Sequence, residues 1–173
     1  MGETGEQQNL RSIQEPLKAR YREEPEAAFV TLRAEGSLEE GVSCSVQTGR
    51  ALVKAGLHPA SGGDGSLACS GDMLLQALVA CAGVSMCAVA SALGIEVHGT
   101  VEAEGDLDFR GTLSVDREAP VGFKDIRLRF FLDSECDEAQ LDTLLRLTER
   151  YCVVFQTLAN SPELSVTRVS AAR

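Results

Sequence analysis

From Met73 to Ile95 the chain carries no charged side chain, and this stretch constrains the fold more than any other. It is about as long as a full membrane span. A transmembrane helix is one reading and a buried core helix is the other. The flanks are Asp72 and Glu96, and the nearest basic residues are Lys54 and Arg110, so no positive flank orients a span. Small residues recur through it: Ala77, Ala80, Ala82, Gly83, Ala88, Ala90 and Ala92. They suit close packing on all sides inside a soluble protein. The sequence therefore predicts a buried helix, with Ser70 capping its start and Gly94 ending it.

The surroundings agree with a soluble chain. A length of 173 residues suits one main domain. Sixteen basic against twenty-six acidic side chains give a net charge of -10. That excludes no fold, but it argues against nucleic acid as a partner, because phosphate recognition needs clustered Lys and Arg. It argues equally against an anionic membrane surface. Met1 to Leu17 is polar and does not read as a secretory signal, so the expected location is cytoplasmic and reducing. Six cysteines in such a place read as buried small residues or reactive thiols rather than structural disulfides. No CxxC pair occurs, and His58 and His98 are far apart, so neither a metal site nor a cofactor is expected.

Periodicity supplies the rest of the outline. Residues 1–27 read as an N-terminal arm with a charged helical piece between Leu17 and Glu24, and residues 28–173 as the main domain. Phe29 to Leu32 reads as a short strand, and Val42 to Val53 as two strand pieces broken at Thr48-Gly49. Beyond the apolar helix the period changes to two. Val97, Gly99, Val101 and Ala103 alternate with polar neighbours, and Ile126, Leu128, Phe130 and Leu132 alternate with Arg127 and Arg129. A further strand is expected at Thr112 to Val115. Asp137 to Leu158 reads as a second helix with Leu141, Leu144, Leu145, Cys152 and Phe155 on one face. Leu164 to Val169 reads as a last edge strand. Strands, helix, strands, helix and strand make an α+β fold.

A cysteine is nucleophilic only as its thiolate. Cys81 lies about three turns inside the first helix, too deep for the helix dipole to ionise it. A cation from elsewhere is expected to do so, with Arg33, Arg50 and Lys54 as candidates. Cys152 follows Arg150, but neighbours two apart on a helix point away from each other. Taken singly, Cys81 and Cys152 read as small core residues, as do Cys44, Cys87 and Cys136. Cys69, just before the helix, is the most accessible of the remaining four. Two histidines leave little choice of base for a Ser-His-Asp or Cys-His arrangement. The glycines at 62, 63 and 65 fit turns rather than a nucleotide-binding loop.

Two stretches taken together resemble the OsmC/Ohr family of thiol-dependent peroxidases. The first is GGDGSLACSGDMLLQALVACAG, residues 62–83, which is similar to that family's glycine-rich turn and the helix that bears the attacking cysteine. The second is ERYCVVFQTLAN, residues 149–160, which resembles the helix carrying the second thiol. The resemblance covers residues 28–170. It implies that Cys81 attacks an organic hydroperoxide, that Cys152 resolves the sulfenic acid, and that a dithiol restores the pair. It also implies an OsmC-like fold: antiparallel strands, a long buried central helix and a second helix. Its assembly would be an intertwined homodimer with the thiols at the subunit interface. The family glutamate nine or ten residues before the attacking cysteine is represented here by Asp72 and Gly71. The nearest counterpart of its activating arginine is Arg33, and the proline often found after the second cysteine is Val153. A second reading is a non-catalytic relative, either a small-ligand binder or a redox sensor.

Overall fold

A computed structural model describes residues 5–39, 43–46 and 55–168. The charge-free stretch forms one helix, α2 (Ser70–Leu93). By length and composition it is apolar enough to cross a membrane, yet half of its most apolar window is buried within the chain. Leu75, Leu78, Val79, Ala82, Met86, Val89 and Ala90 are all buried, and they recur at the spacing of one helical face. Gly94 ends the helix in the left-handed region with φ 66, and the Ile95 N–H returns to the Ala90 carbonyl at 2.9 Å. The start differs from expectation by one residue. Cys69 rather than Ser70 is the N-cap, and it makes no side-chain cap bond.

The helix packs on an antiparallel sheet whose order is β2-β1-β5-β6. The strands are β1 (Phe29–Glu39), β2 (Ser43–Val46), β5 (His98–Asp108) and β6 (Phe123–Asp133). A small parallel ladder joins β3 (Ala55–Gly56) to β4 (Ala68–Cys69) just before α2. Alternation along β5 divides core from water as the sequence predicts. Val101 and Ala103 are fully buried, while Glu104 and Asp106 meet Arg127 and Arg129 across the ladder. Arg127 donates to both oxygens of Asp106, at 2.6 and 3.1 Å.

Several expected boundaries move. β1 continues to Glu39 instead of stopping at Leu32, because it pairs with β5 from Phe29 opposite Asp108 to Ser37 opposite Thr100, and with β2 from Gly36 opposite Val46 to Glu39 opposite Ser43. Of Val42 to Val53, Ser43–Val46 is a strand, and the remainder lies outside the described residues. Thr112 to Val115 is not a strand. Asp108 caps the helical turn α3 (Phe109–Thr112) through the Arg110 N–H at 3.0 Å, and Ser114 then takes φ 56, which no extended run can accommodate. The described part of Leu164 to Val169 is not a strand either. It finds no partner strand among the described residues, leaving Leu164 82 % and Val166 100 % exposed; Val169 lies outside them.

The helix in the N-terminal segment is longer than the piece expected between Leu17 and Glu24. Helix α1 (Gly5–Glu23) covers it, and the buried Tyr21 sits with Ala28, Phe109 and Leu113. The Tyr21 hydroxyl donates to the Ala60 carbonyl at 2.7 Å, which ties α1 to the loop before α2. The expected second helix is two helices. α4 (Glu138–Tyr151) begins with a capping box between Asp137 and Gln140, and α5 (Val153–Ala159) follows after a break at Cys152. Leu144, Thr148 and Cys152 are the residues this segment buries against α2, whereas Leu145 is 36 % exposed. The inward face is thus turned slightly from the one expected.

Leu144 is wholly buried where α4 meets α2. Replacing it with alanine is expected to destabilise the chain by about 2–5 kcal/mol, through lost apolar burial and the cavity left behind. Urea unfolding of Leu144→Ala against wild type measures this. A loss below about 1 kcal/mol would mean that α4 is not held on α2 as described.

Candidate functional site

The site is built where α2 passes the break between α4 and α5. At Cys152 the backbone leaves the helix, with φ -73 and ψ 105, and re-enters it one residue later. The first N–H groups of a new helix have no carbonyl four residues back to bond to. Here they turn to sulfur. The N–H groups of Val153 and Val154 act on Cys81 and favour its thiolate, and that of Phe155 reaches the Cys152 sulfur at 3.4 Å. Cys81 is half-buried on α2, and Ser85, four residues on and therefore on the same face, adds its hydroxyl. The Cys152 thiol completes the set by donating to Cys81.

These contacts push the two thiols apart in acidity. Burial raises the Cys81 pKa, but the Val154 N–H, the Cys152 thiol, the Val153 N–H and the Ser85 hydroxyl together outweigh it. The net direction is below the usual thiol value. Burial also acts on Cys152 and is not outweighed. The Phe155 and Val154 N–H groups oppose it, but the hydrogen bond to Cys81 and that sulfur's negative charge add to it. Cys152 is pushed up to about 11. The two neighbouring thiols are thus shifted in opposite directions.

The expected pair, Cys81 and Cys152, is therefore brought together. The other described cysteines are not part of it. Cys87 is buried in the core, and Cys69 and Cys136 are half-buried elsewhere. No disulfide links the described cysteines. Arg50 and Lys54, and the side chains of Arg33 and Cys44, lie outside the described residues. Asp72 stands in the first turn of α2, about 13 Å along the axis from Cys81 and on the opposite face. Burial raises its carboxyl, with His58 and the Cys69 backbone opposing, and it is not among the groups acting on Cys81. Sequence reasoning sought a cation for Cys81 and missed the peptide donors, because it carried the helix straight through Cys152. Among the described residues, no group of three or more His, Cys, Asp or Glu side chains is placed to hold a metal ion.

Comparison with known proteins agrees with this architecture. A family model described as OsmC-like protein matches residues 63–167, which include both cysteines. A solved structure, an OsmC-like hydroperoxide resistance protein from Jannaschia sp. CCS1, is similar with a TM-score of 0.55. The alignment covers 84 % of this chain and 97 % of that one, at 14 % identity, so the likeness is one of fold. No curated protein sequence matches.

Val153 offers a direct test of the peptide donors. It is the first residue of α5, where proline is tolerated, and Cys152 before it already has the extended backbone that a following proline requires. Val153→Pro therefore removes one N–H from the Cys81 sulfur with little disturbance to the helix. In wild type, peptide-resolved alkylation against pH should reach half-maximum for Cys81 below the usual thiol range and for Cys152 near 11. In Val153→Pro the Cys81 midpoint should move upward. An unmoved midpoint would show that this N–H does not stabilise the thiolate.

Proposed function

The chain belongs to the OsmC-like family, and from that premise we propose that it reduces organic hydroperoxides, with Cys81 as the attacking thiol and Cys152 as the resolving one. The observation that carries the reading is the meeting of Cys81 and Cys152 at the break between α4 and α5, where their surroundings shift the two thiols in opposite directions. A peroxide needs a thiolate to attack it, whereas a resolving thiol needs only to be adjacent and available. The Cys81 thiolate attacks one peroxide oxygen, the O–O bond breaks, and the other oxygen leaves as the alkoxide and takes a proton to become the alcohol. Cys81 is then a sulfenic acid. The Cys152 thiol condenses with it, a disulfide forms and water leaves. A dithiol returns two electrons and restores both thiols. No metal or cofactor enters these steps. A reducing cytoplasm is the compartment in which such a dithiol is regenerated.

The reading includes a homodimer. Apart from Ala92 and Leu93 at its end, the exposed residues of α2 are Ser70, Leu74, Ala77, Val84, Ala88 and Ser91. With the half-buried Cys81 between Ala77 and Val84, successive positions from Ser70 to Ser91 are three or four residues apart, so they form one stripe without charge with Cys81 in its middle. A contiguous apolar face of this kind marks an interaction surface. A second copy is the occupant that the resemblance supplies. Residues 28–173 then form the catalytic unit, with residues 1–27 accessory to it.

One equivalent of cumene hydroperoxide added to the reduced protein should yield a Cys81–Cys152 disulfide, seen by peptide mapping. Cys152→Ser should stop at the sulfenic acid or proceed to the sulfinic form, and Cys81→Ser should consume hydroperoxide only at the uncatalysed rate. Full turnover by Cys81→Ser would refute the assignment. Light scattering at micromolar concentration should give twice the chain mass.

A further inference from the structure

We propose that the disulfide formed between Cys81 and Cys152 is opened by a small dithiol that enters a cavity between β6, α4 and α5 and attacks the Cys152 sulfur rather than Cys81. The inference rests on the thiol-pair reading above and adds where, and at which atom, the reductant acts.

The cavity has a volume of about 300 Å³. Leu128 and Phe130 of β6, Leu145 of α4 and Phe155 of α5 supply apolar walls, and Cys152 lines it. Cys81 does not. Ala82 is the residue of α2 that lines it, and none of the stripe residues does. The two sulfurs are thus approached from different sides, Cys81 from the α2 face and Cys152 from the cavity. A compact dithiol matches the volume, which is at the small end of ligand pockets. Cys152 is itself 0 % exposed in the reduced chain, so a wall must yield before a sulfur can reach it. Leu145 is the most exposed of the apolar walls and is the side chain able to swing aside.

Chemistry selects the same sulfur. In thiol–disulfide exchange the more acidic thiol is the better leaving group. Attack on Cys152 expels Cys81, and the N–H groups of Val153 and Val154 that favour the Cys81 thiolate receive it as it leaves. Attack on Cys81 would have to expel Cys152, which holds its proton tightly. In the first step one reductant thiolate forms a bond to the Cys152 sulfur, and the Cys81–Cys152 bond breaks with its electron pair going to Cys81. In the second step the other reductant thiol loses its proton and attacks the first reductant sulfur, closing a cyclic disulfide. Cys152 leaves and takes up a proton. Two electrons pass from the dithiol to the protein. Cys152 is the poorer leaving group of this second step, but that step is intramolecular, and proximity offsets the disadvantage.

The disulfide can be prepared with diamide, independently of any hydroperoxide. Treating it with 2-mercaptoethanol and capping free thiols at once with N-ethylmaleimide should place the mercaptoethanol adduct on Cys152 and the maleimide on Cys81. An adduct mainly on Cys81 overturns the proposal. Leu145→Trp, which fills the cavity from its rim, should slow reduction of the disulfide by dithiothreitol at least tenfold relative to its effect on oxidation. Equal effects on the two half-reactions overturn the route. If diamide links the pair and the adduct maps to Cys152 while hydroperoxides do not react, the route stands and the peroxidase reading falls. If diamide fails to link Cys81 to Cys152, both fall.

Discussion

Everything distinctive about the site depends on one interruption of a helix. Hydrogen bonding of helical type continues on both sides of Cys152: its N–H reaches the Thr148 carbonyl and its own carbonyl accepts from Gln156, each at 2.9 Å. Between these bonds the ψ of 105 turns the chain out of helix. The N–H groups of Val153, Val154 and Phe155 are then left without helical acceptors, and all three find sulfur. An uninterrupted helix would have spent those donors on its own carbonyls. Cys152 would still be buried against α2, but Cys81 would face a neutral thiol and little else. The break therefore converts a packed pair of cysteines into a polarised one.

Polarisation also follows from closeness. Both sulfurs lie in the same partly dehydrated setting, and burial alone would raise both. Two peptide N–H groups act on each sulfur, Val153 and Val154 on Cys81 and Phe155 and Val154 on Cys152; the difference comes from the Cys152 thiol and the Ser85 hydroxyl, which favour the Cys81 thiolate alone. Once Cys81 is ionised, a second thiolate a hydrogen bond away would place two negative charges side by side. Cys152 accordingly retains its proton. The two thiols are shifted in opposite directions without a charged side chain among the groups that favour the Cys81 thiolate.

Much of this fold is legible in the residues, and the exceptions have physical causes. α2 can be read from the lack of charge between Met73 and Ile95 and from Gly94 behind it. β5 and β6 can be read from strict alternation, because one face must meet α2 and the other water. The break at Cys152 leaves no such trace. No glycine or proline interrupts residues 149–156, and apolar residues continue at helical spacing through them. The β-branched pair Val153-Val154 is the one local hint, together with the proline that the resemblance places at Val153. Such signals weigh little beside a pattern that tertiary packing can override. Leu164 to Val169 fails for the opposite reason. Its alternation is genuine, but alternation describes a half-buried strand only where an edge exists to pair with, and this is a property of the assembled fold. The pair Cys81 and Cys152 was accessible through resemblance; the donors that distinguish the two were not, because they are backbone.

The balance at Cys81 also constrains any partner laid on α2. Burial is already the largest single influence on this thiol, and the donors outweigh it in the isolated chain. A second copy covering Leu74, Ala77, Val84 and Ala88 removes more water from around the sulfur and pushes its pKa upward again. The same exclusion of water strengthens every hydrogen bond to the anion, because the local dielectric falls. Which effect prevails depends on whether the covering surface brings donors of its own. A purely apolar partner would bury the thiolate against its own charge and forfeit its reactivity. A productive interface must either leave a water-filled path to Cys81 or contribute a polar hydrogen or a cation facing it. The route to Cys152 through the cavity is under no such constraint, since a thiol that stays protonated loses little when its surroundings become apolar. Under the proposed function, one sulfur near a covered face and the other beside a separate cavity would meet oxidant and reductant from different sides.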